Sequence, residues 1–314
     1  MIALGYSDHY CLDALPFQLT PDGTRFFKSQ GHRRAMTHML YGLAQGEGII
    51  VVTGEIGAGK TTLIEFLRGR LGDAPIRIGS VIGSAGSGAD MLRFVAAAFG
   101  ARAGDATGKA AMSMALLSRL RQIRADGVRC LLVVDEVQTL DPAALEELRL
   151  MTNLLHAGQP LLQIMVAGQP EFRATLARHD MEPFRQRVIA CFHLGPLSAE
   201  ETHAYILHRL TTAGWRGNPI WQTDASHAAF RHTQGIPRRV NRLCGRVLMR
   251  GALDHLTVIT SPLVEAVADE LAGDLGDRPA APMPPAHPTS PPTPPPAAAP
   301  HPWRHRGLFR RHAR

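Results

Sequence analysis

Cysteine is scarce in this 314-residue chain: Cys11, Cys130, Cys191 and Cys244 stand singly, with no CxxC pair and no histidine at metal-ligand spacing. That scatter excludes a disulfide framework and a sequence-encoded zinc site, and predicts reduced core thiols in a cytosolic protein. A secretory leader is missing as well. The opening MIALGYSDHY has neither a basic region nor a long apolar one, and no apolar run approaches the ~20 residues of a membrane-spanning helix. The expected location is cytoplasmic. Acid is missing from residues 301–314, which hold five arginines; taking those from the net charge of +7 leaves the first 300 residues at +2. A nearly neutral body weakens any nucleic-acid reading of the overall pI of 9.7.

What is present is a composition of 45% hydrophobic and 19% charged residues, enough for one large packed unit and a smaller one. Short β-rich runs recur at GIIVVT (48–53), IRIGSVI (76–82), CLLVVD (130–135), LLQIMVAG (161–168) and VIACFHL (188–194), with helical patterns between them. Strands alternating with helices predict a parallel sheet covered on both faces. In one of those helices Asp141 caps, Pro142 takes the first position, and Leu145, Leu148, Leu154 and Leu155 share a face before Gly158 stops it. After Pro196 strands cease. SAEETHAYILHRLTTAG opens with a capping box, Ser198 and Glu201, and helical patterns run to about Gly273. Twelve of the 23 prolines then fall between Pro279 and Pro302, a composition that cannot build a core. Three regions are expected: an α/β nucleotide-binding domain over 1–195, a small all-helical lid over 196–273, and a disordered Pro/Ala-rich linker with a basic tail over 274–314.

The strongest motif is GEIGAGKTT, residues 54–62, set between the first apolar run and the helical LIEFLRGRL. It fits GxxxxGK[ST]. Glycines 54, 57 and 59 let the backbone N–H groups of Gly54, Glu55, Ile56, Gly57, Ala58, Gly59, Lys60, Thr61 and Thr62 wrap an anion; Lys60 reaches the outer phosphates and the Thr61 hydroxyl can ligate Mg²⁺. The run LLVVDE supplies the matching carboxylates about 75 residues later. Asp135 can complete the Mg²⁺ shell, and Glu136 can orient and deprotonate the attacking water of ATP hydrolysis. Gln169, at the carboxyl edge of a parallel strand, is either a loop amide or a reader of the γ-phosphate. Arg185 and Arg187 precede the last strand; each is a surface charge or an arginine that reaches a nucleotide on a neighbouring subunit.

In GIPRRVNRLC, with Pro237 first in a helix, Val240, Leu243, Cys244, Val247, Leu248 and Gly251 form one apolar face. Arg238 falls roughly opposite that face, free to enter the cleft, and Arg239 on its flank, so Arg238→Ala is expected to impair function much more than Arg239→Ala.

Together these motifs resemble the AAA+ ATPases: a P-loop NTPase with a three-layer parallel-sheet core and a small helical lid. More narrowly, LPFQLTPDGTRFF, HRRAMTHMLYGL, GEGIIVVTGEIGAGKTTL, LLVVDEVQTL, LLQIMVAGQPEFRATL, FRQRVIACFHLGPLSAEET and GIPRRVNRLC are similar to secretion ATPases of the general secretion pathway protein A family. KSQGHRRAM, GLAQGEG and AGWRGNP resemble the subfamily found with exosortase and exopolysaccharide loci. The likeness covers roughly residues 6–255. It implies the Walker A loop on Gly54–Thr61, Walker B on Asp135 and Glu136, sensor 1 on Gln169, the trans arginine finger on Arg187 and sensor 2 on Arg238. Two departures stand out: DEVQTL puts Thr139 where the family carries an amide, and Gly23 replaces a common proline. The family's membrane span and periplasmic wall-binding domain have no counterpart in these residues.

The resemblance implies a homo-oligomer with nucleotide at subunit interfaces, working with inner-membrane secretion or polysaccharide-export components. A DNA-binding ATPase of the transposition or initiator type is the competing reading, though no helix-turn-helix, zinc or winged-helix appendage follows the lid. A nucleotide-gated scaffold with little turnover is the third. The tail WRHRGLFRRHAR is a solvated basic end or a peripheral contact with an anionic inner membrane. His32, His38 and the other scattered histidines show no ligand or acid–base spacing and read as surface or cap residues. The family's layout puts Tyr41 and the 26–45 helix near the adenine.

Overall fold

The computed structural model describes residues 5–20, 23–72, 74–83, 87–102 and 108–274; the basic tail and its membrane contact lie outside them. The strands among these residues are β1 (Ile49–Gly54), β2 (Ile76–Ile82), β3 (Arg129–Asp135), β4 (Leu155–His156), β5 (Gln159–Pro160), β6 (Gln163–Gly168), β7 (Val188–Leu194), β8 (Ile220–Trp221) and β9 (Val258–Ile259). The five apolar runs make one sheet of order β2-β3-β6-β1-β7, every pairing parallel. All six residues of β1 and of β6 are buried, as parallel strands with helices on both faces require.

Side-chain alternation splits the core in two. Ile49, Val51, Leu132, Val134, Ile164 and Val166 pack on one face with Phe99, Leu120 and Leu148. Their neighbours Ile50, Val52, Leu131, Val133, Met165 and Ala167 pack on the other with Met39, Leu63 and Leu67. The first group holds the outer helices; the second clamps the Gln30–Gln45 and Lys60–Arg70 helices over the strand ends that carry the phosphate-loop motif.

The Pro142–Met151 helix starts as expected, with the Asp141 carboxylate accepting from Ala144 N at 2.7 Å. It ends sooner. Leu154 and Leu155 are not on it; β4 and β5 form an antiparallel hairpin turned by Ala157 and Gly158 at φ 50° and 75°, a two-residue left-handed turn that suits a twisted hairpin. Leu155 is consequently exposed. The cysteine expectation needs correction too: all four are free, but only Cys130 and Cys244 are buried. Cys191 occupies an outward position on edge strand β7, and Cys11 sits in a turn at φ 53°.

Beyond β7 come the helices Ala199–Thr212, Thr223–Thr233, Pro237–Leu253 and Ser261–Asp274. The capping box of Ser198 and Glu201 is formed. The apolar face read from GIPRRVNRLC is buried at all six positions. These helices also carry a two-residue parallel ladder, β8 with β9.

The amino-terminal segment joins this helical unit rather than the sheet. Tyr10, Leu12 and Phe17 share a core with Ile206, Leu210, Val240 and Val247. Tyr10 donates to the Leu256 carbonyl at 3.1 Å, Arg209 Nε to that of Pro16 at 2.6 Å, and Asn241 Nδ2 to that of Gln18 at 3.1 Å. Grouping the first residues with the nucleotide domain therefore does not describe their packing. Their irregular backbone gives no periodic signal, and their partners lie about two hundred residues away in sequence.

Candidate functional site

β1 delivers the chain into a loop that needs glycine twice. Gly57 and Gly59 adopt φ 82° and 99°, and a Cβ on Gly57 would stand 2.4 Å from the Arg238 Cβ. The Lys60–Arg70 helix then starts with its free N–H groups facing the loop. Lys60 is buried, its Nζ donating to the carbonyls of Gly54 at 2.7 Å and Glu55 at 3.0 Å. Burial pulls its ammonium below the usual lysine range, while the carboxylates of Glu136, Asp135, Glu55 and Glu171 oppose that shift. The loop is thus an anion cradle with a cation folded back onto its rim.

At the end of β3, Thr61 donates to Asp135 Oδ2 at 2.8 Å. A hydroxyl and a carboxylate from two elements, side by side at a helix N-terminus, are hard oxygen donors suited to Mg²⁺. Among the described residues no cluster of three or more His, Cys, Asp or Glu forms a metal site of its own. A metal held here would take its remaining ligands from water and a bound phosphate.

Glu136 follows in the left-handed region at φ 55°, which lifts its side chain off the strand. Gln138 Nε2 donates to Glu136 Oε2 at 2.5 Å, Gln169 Nε2 to the same oxygen at 3.2 Å, and Gln169 N to Gln138 Oε1 at 2.9 Å. Burial pushes the Glu136 carboxyl up, but the two amide hydrogen bonds and the Lys60 charge outweigh it, leaving the group below the usual range. Gln138 is a residue that sequence reasoning missed. Its signal was the short turn Val137–Thr139, which brings the second residue after the glutamate back onto it. Thr139 donates instead to the carbonyls of Gly83 and Glu136, both at 2.8 Å.

The cleft above the loop has walls that include Gln18, Phe26 and His32 from the amino-terminal residues and Tyr205, Asn241 and Arg238 from the helical unit. Arg238 also gives its backbone N–H to the Gly57 carbonyl at 3.1 Å, so the 237–253 helix starts on the phosphate loop. Arg238 and Arg239 are both exposed, and Arg239 is not among these walls. Tyr41 is 60% exposed and does not line the cleft. His32, by contrast, is buried and does.

The arginines before β7 lie elsewhere. Arg185 donates to the carbonyls of Leu176 at 2.6 Å and Arg178 at 2.8 Å and pairs with Glu182. Arg187 is exposed, hydrogen-bonded to Asn153, and its carbonyl accepts from Ile49 N at 2.8 Å. It therefore stands at the amino end of the sheet, opposite the phosphate loop.

A parallel sheet of this order, a glycine-turned phosphate loop after β1 and an Asp-Glu pair after β3 are the architecture of the P-loop NTPase fold. Residues 43–176 match the AAA domain family model. The chain is similar to general secretion pathway protein A of Aeromonas hydrophila, being 33% identical to it over 244 residues. That alignment covers 78% of this chain and 44% of the relative, so this chain spans less than half of the relative's length. Among solved structures, the Aeropyrum pernix ORC2 protein (ADPNP-ADP complexes) superposes with a TM-score of 0.65 at 15% identity, covering 82% of this chain and 72% of that one. Cdc6p from Pyrobaculum aerophilum gives 0.65 at 16% identity over 79% and 71%. The Thermotoga maritima RuvB Holliday junction branch migration motor gives 0.54 at 18% over 77% and 70%. At these identities the likeness is one of fold. No helix among the described residues is long and apolar enough to cross a membrane.

Proposed function

We propose that this chain binds Mg-ATP in the cleft between phosphate loop and lid, hydrolyses it with Glu136 as base, and uses the cycle to assemble or regulate a cell-envelope system. The observation that carries the chemistry is convergence: Lys60, the Thr61–Asp135 pair and Glu136 meet at the carboxyl ends of β1 and β3, where open α/β sheets bind ligands. Lys60 leaves the Gly54 and Glu55 carbonyls for the outer phosphates. The loop amides hold the phosphate oxygens and fix the nucleotide. Thr61 and Asp135 would hold Mg²⁺, which neutralises phosphate charge when bound. Glu136, kept ionised by its amide partners, takes a proton from water as the water oxygen bonds the γ-phosphorus and ADP departs. Arg238 meets the γ-phosphate from the lid, and Arg187 serves the site of a neighbouring subunit in a homo-oligomer.

The cellular role rests on the likeness to general secretion pathway protein A: assembly or regulation of a secretion, exopolysaccharide-export or exosortase-type sorting system, on the cytoplasmic side or peripheral to the inner membrane. Phosphate release under saturating Mg-ATP tests the chemical half. Glu136→Gln should keep nucleotide affinity and lose on the order of 10²-fold or more in kcat, as removal of a general base does. Unchanged turnover would remove Glu136 from that role. The same variant, held in its ATP state, is the bait of choice for capturing the envelope partner.

A further inference from the structure

The turn at Gly59 is filled from below by a side chain with no assigned role. The point where a Cβ on Gly59 would stand lies 2.9 Å from His32 Nε2. His32 belongs to the first turn of the 30–45 helix and is 5% exposed. Its Nδ1 lies 2.7 Å from Ser29 Oγ, and that oxygen accepts the His32 backbone N–H at 3.1 Å. The opposite side of the ring hydrogen-bonds the backbone of Ala58, and Phe26 meets it edge-on at 5.0 Å between centroids. In the neutral tautomer assigned from these partners, Nε2 donates and Nδ1 accepts the Ser29 hydroxyl. Burial, which pulls the His32 pKa down to about 4, keeps the ring in that form.

Behind Ser29 the chain of contacts continues into the lid. Gln30 N donates to Glu201 Oε1 at 2.7 Å, and Ser198 N donates to Glu201 Oε2 at 3.3 Å. One carboxylate therefore joins the first turns of the 30–45 and 199–212 helices. Three segments, residues 29–32, 58–59 and 198–201, are locked through His32 and its cap.

We propose that His32 is a positioning residue for the phosphate loop, fixing the turn at Gly59 from which Lys60 and Thr61 are presented, and backed by a helix start that Glu201 ties to the lid. Its effect on nucleotide rests on the ATPase reading above; its effect on the loop does not. Any loosening of the loop weakens the grip on phosphate equally in ground and transition states, so affinity should suffer more than turnover.

Three variants separate this role from simple packing. His32→Gln retains a donor at the Nε2 position, His32→Leu keeps the volume without it, and His32→Asn faces Ser29 but falls short of Ala58. In the nucleotide-free full chain, backbone amide exchange at residues 57–61 should quicken about tenfold in His32→Leu and His32→Asn and stay near wild type in His32→Gln. Calorimetric Kd for Mg-ADP should rise about tenfold in the same two variants, with kcat at saturating Mg-ATP within about threefold. Wild-type exchange and affinity in His32→Asn, or equal losses in His32→Gln and His32→Asn at matched Tm, would overturn the proposal. A wild-type chain that fails to bind Mg-ADP would sink the ATPase reading instead, while the exchange rates still decide the role of His32.

Discussion

The two ends of the sheet differ in how their charges are held. At the carboxyl end, Lys60, Asp135 and Glu136 each have hydrogen-bond partners fixed by a neighbouring element. At the amino end, Arg187 is exposed and its guanidinium hydrogen-bonds the Asn153 side chain, while two residues earlier Arg185 is spent on backbone carbonyls. A charge that must be ready for a phosphate in its own subunit is preorganised; one that is to meet a neighbour cannot be saturated at home. On the proposed function one subunit supplies the cradle, the carboxylates and Arg238, and Arg187 serves a second copy.

The largest effect that can break this comparison is at Arg187. Arg187→Ala should bind ATP normally and lose on the order of 10²-fold or more in kcat, the scale of a missing arginine finger. Mixed with a Lys60→Ala chain, which keeps the finger but lacks a working cradle, it should regain activity. Failure to recover in the mixture would mean that Arg187 does not act across subunits. Arg185→Ala, which unties the 182–185 turn, should lower Tm instead of kcat at temperatures where the chain stays folded.

A smaller effect separates the neighbours Arg238 and Arg239. Only Arg238 lines the cleft. Arg238→Ala should lower kcat/KM for Mg-ATP about tenfold and Arg239→Ala less than about twofold, read as free-energy differences in the same assay. Equal losses would show that the arginines act through the charge of the helix start and not through position.

The same contrast between local and distant partners explains what the sequence disclosed. The strands, the phosphate loop, Asp135 and Glu136, the Ser198–Glu201 cap and the buried face of the 237–253 helix all follow from periods of two or 3.6 or from motifs a few residues long. His32 could not be found that way, because its partners Ala58 and Gly59 become neighbours only when the 30–45 helix packs beneath the loop. The 10–18 segment was hidden for the same reason: Arg209 reaches Pro16 across 193 residues. The hairpin of β4 and β5 was lost to leucines at helical spacing; left-handed Ala157 was not recognisable, since alanine gives no warning of a positive φ. Gln138 gives no signal of its own in DEVQTL, because its amide reaches Glu136 only through the turn at Val137–Thr139, while the unusual Thr139 bonds backbone with its hydroxyl.

Gln138 gives the finest test of the preorganised end. Its amide and that of Gln169 donate to one oxygen of Glu136, and with the Lys60 charge they overcome the upward push of burial and hold the carboxyl low. A base with a lowered pKa stays ionised as pH falls, and its activity disappears only when pH drops through that lowered value. Gln138→Leu removes one donor and leaves the burial, so the group must move upward and protonate sooner. The acid limb of the kcat/KM profile should shift to higher pH, with little change on the alkaline side. Gln169→Leu, whose side-chain contact is longer at 3.2 Å, should shift it less. If the acid limb stayed fixed in both variants, the amides would be shaping the turn after β3 without tuning the base, and the contrast between a preorganised end and an open one would rest on Lys60 and Asp135 alone.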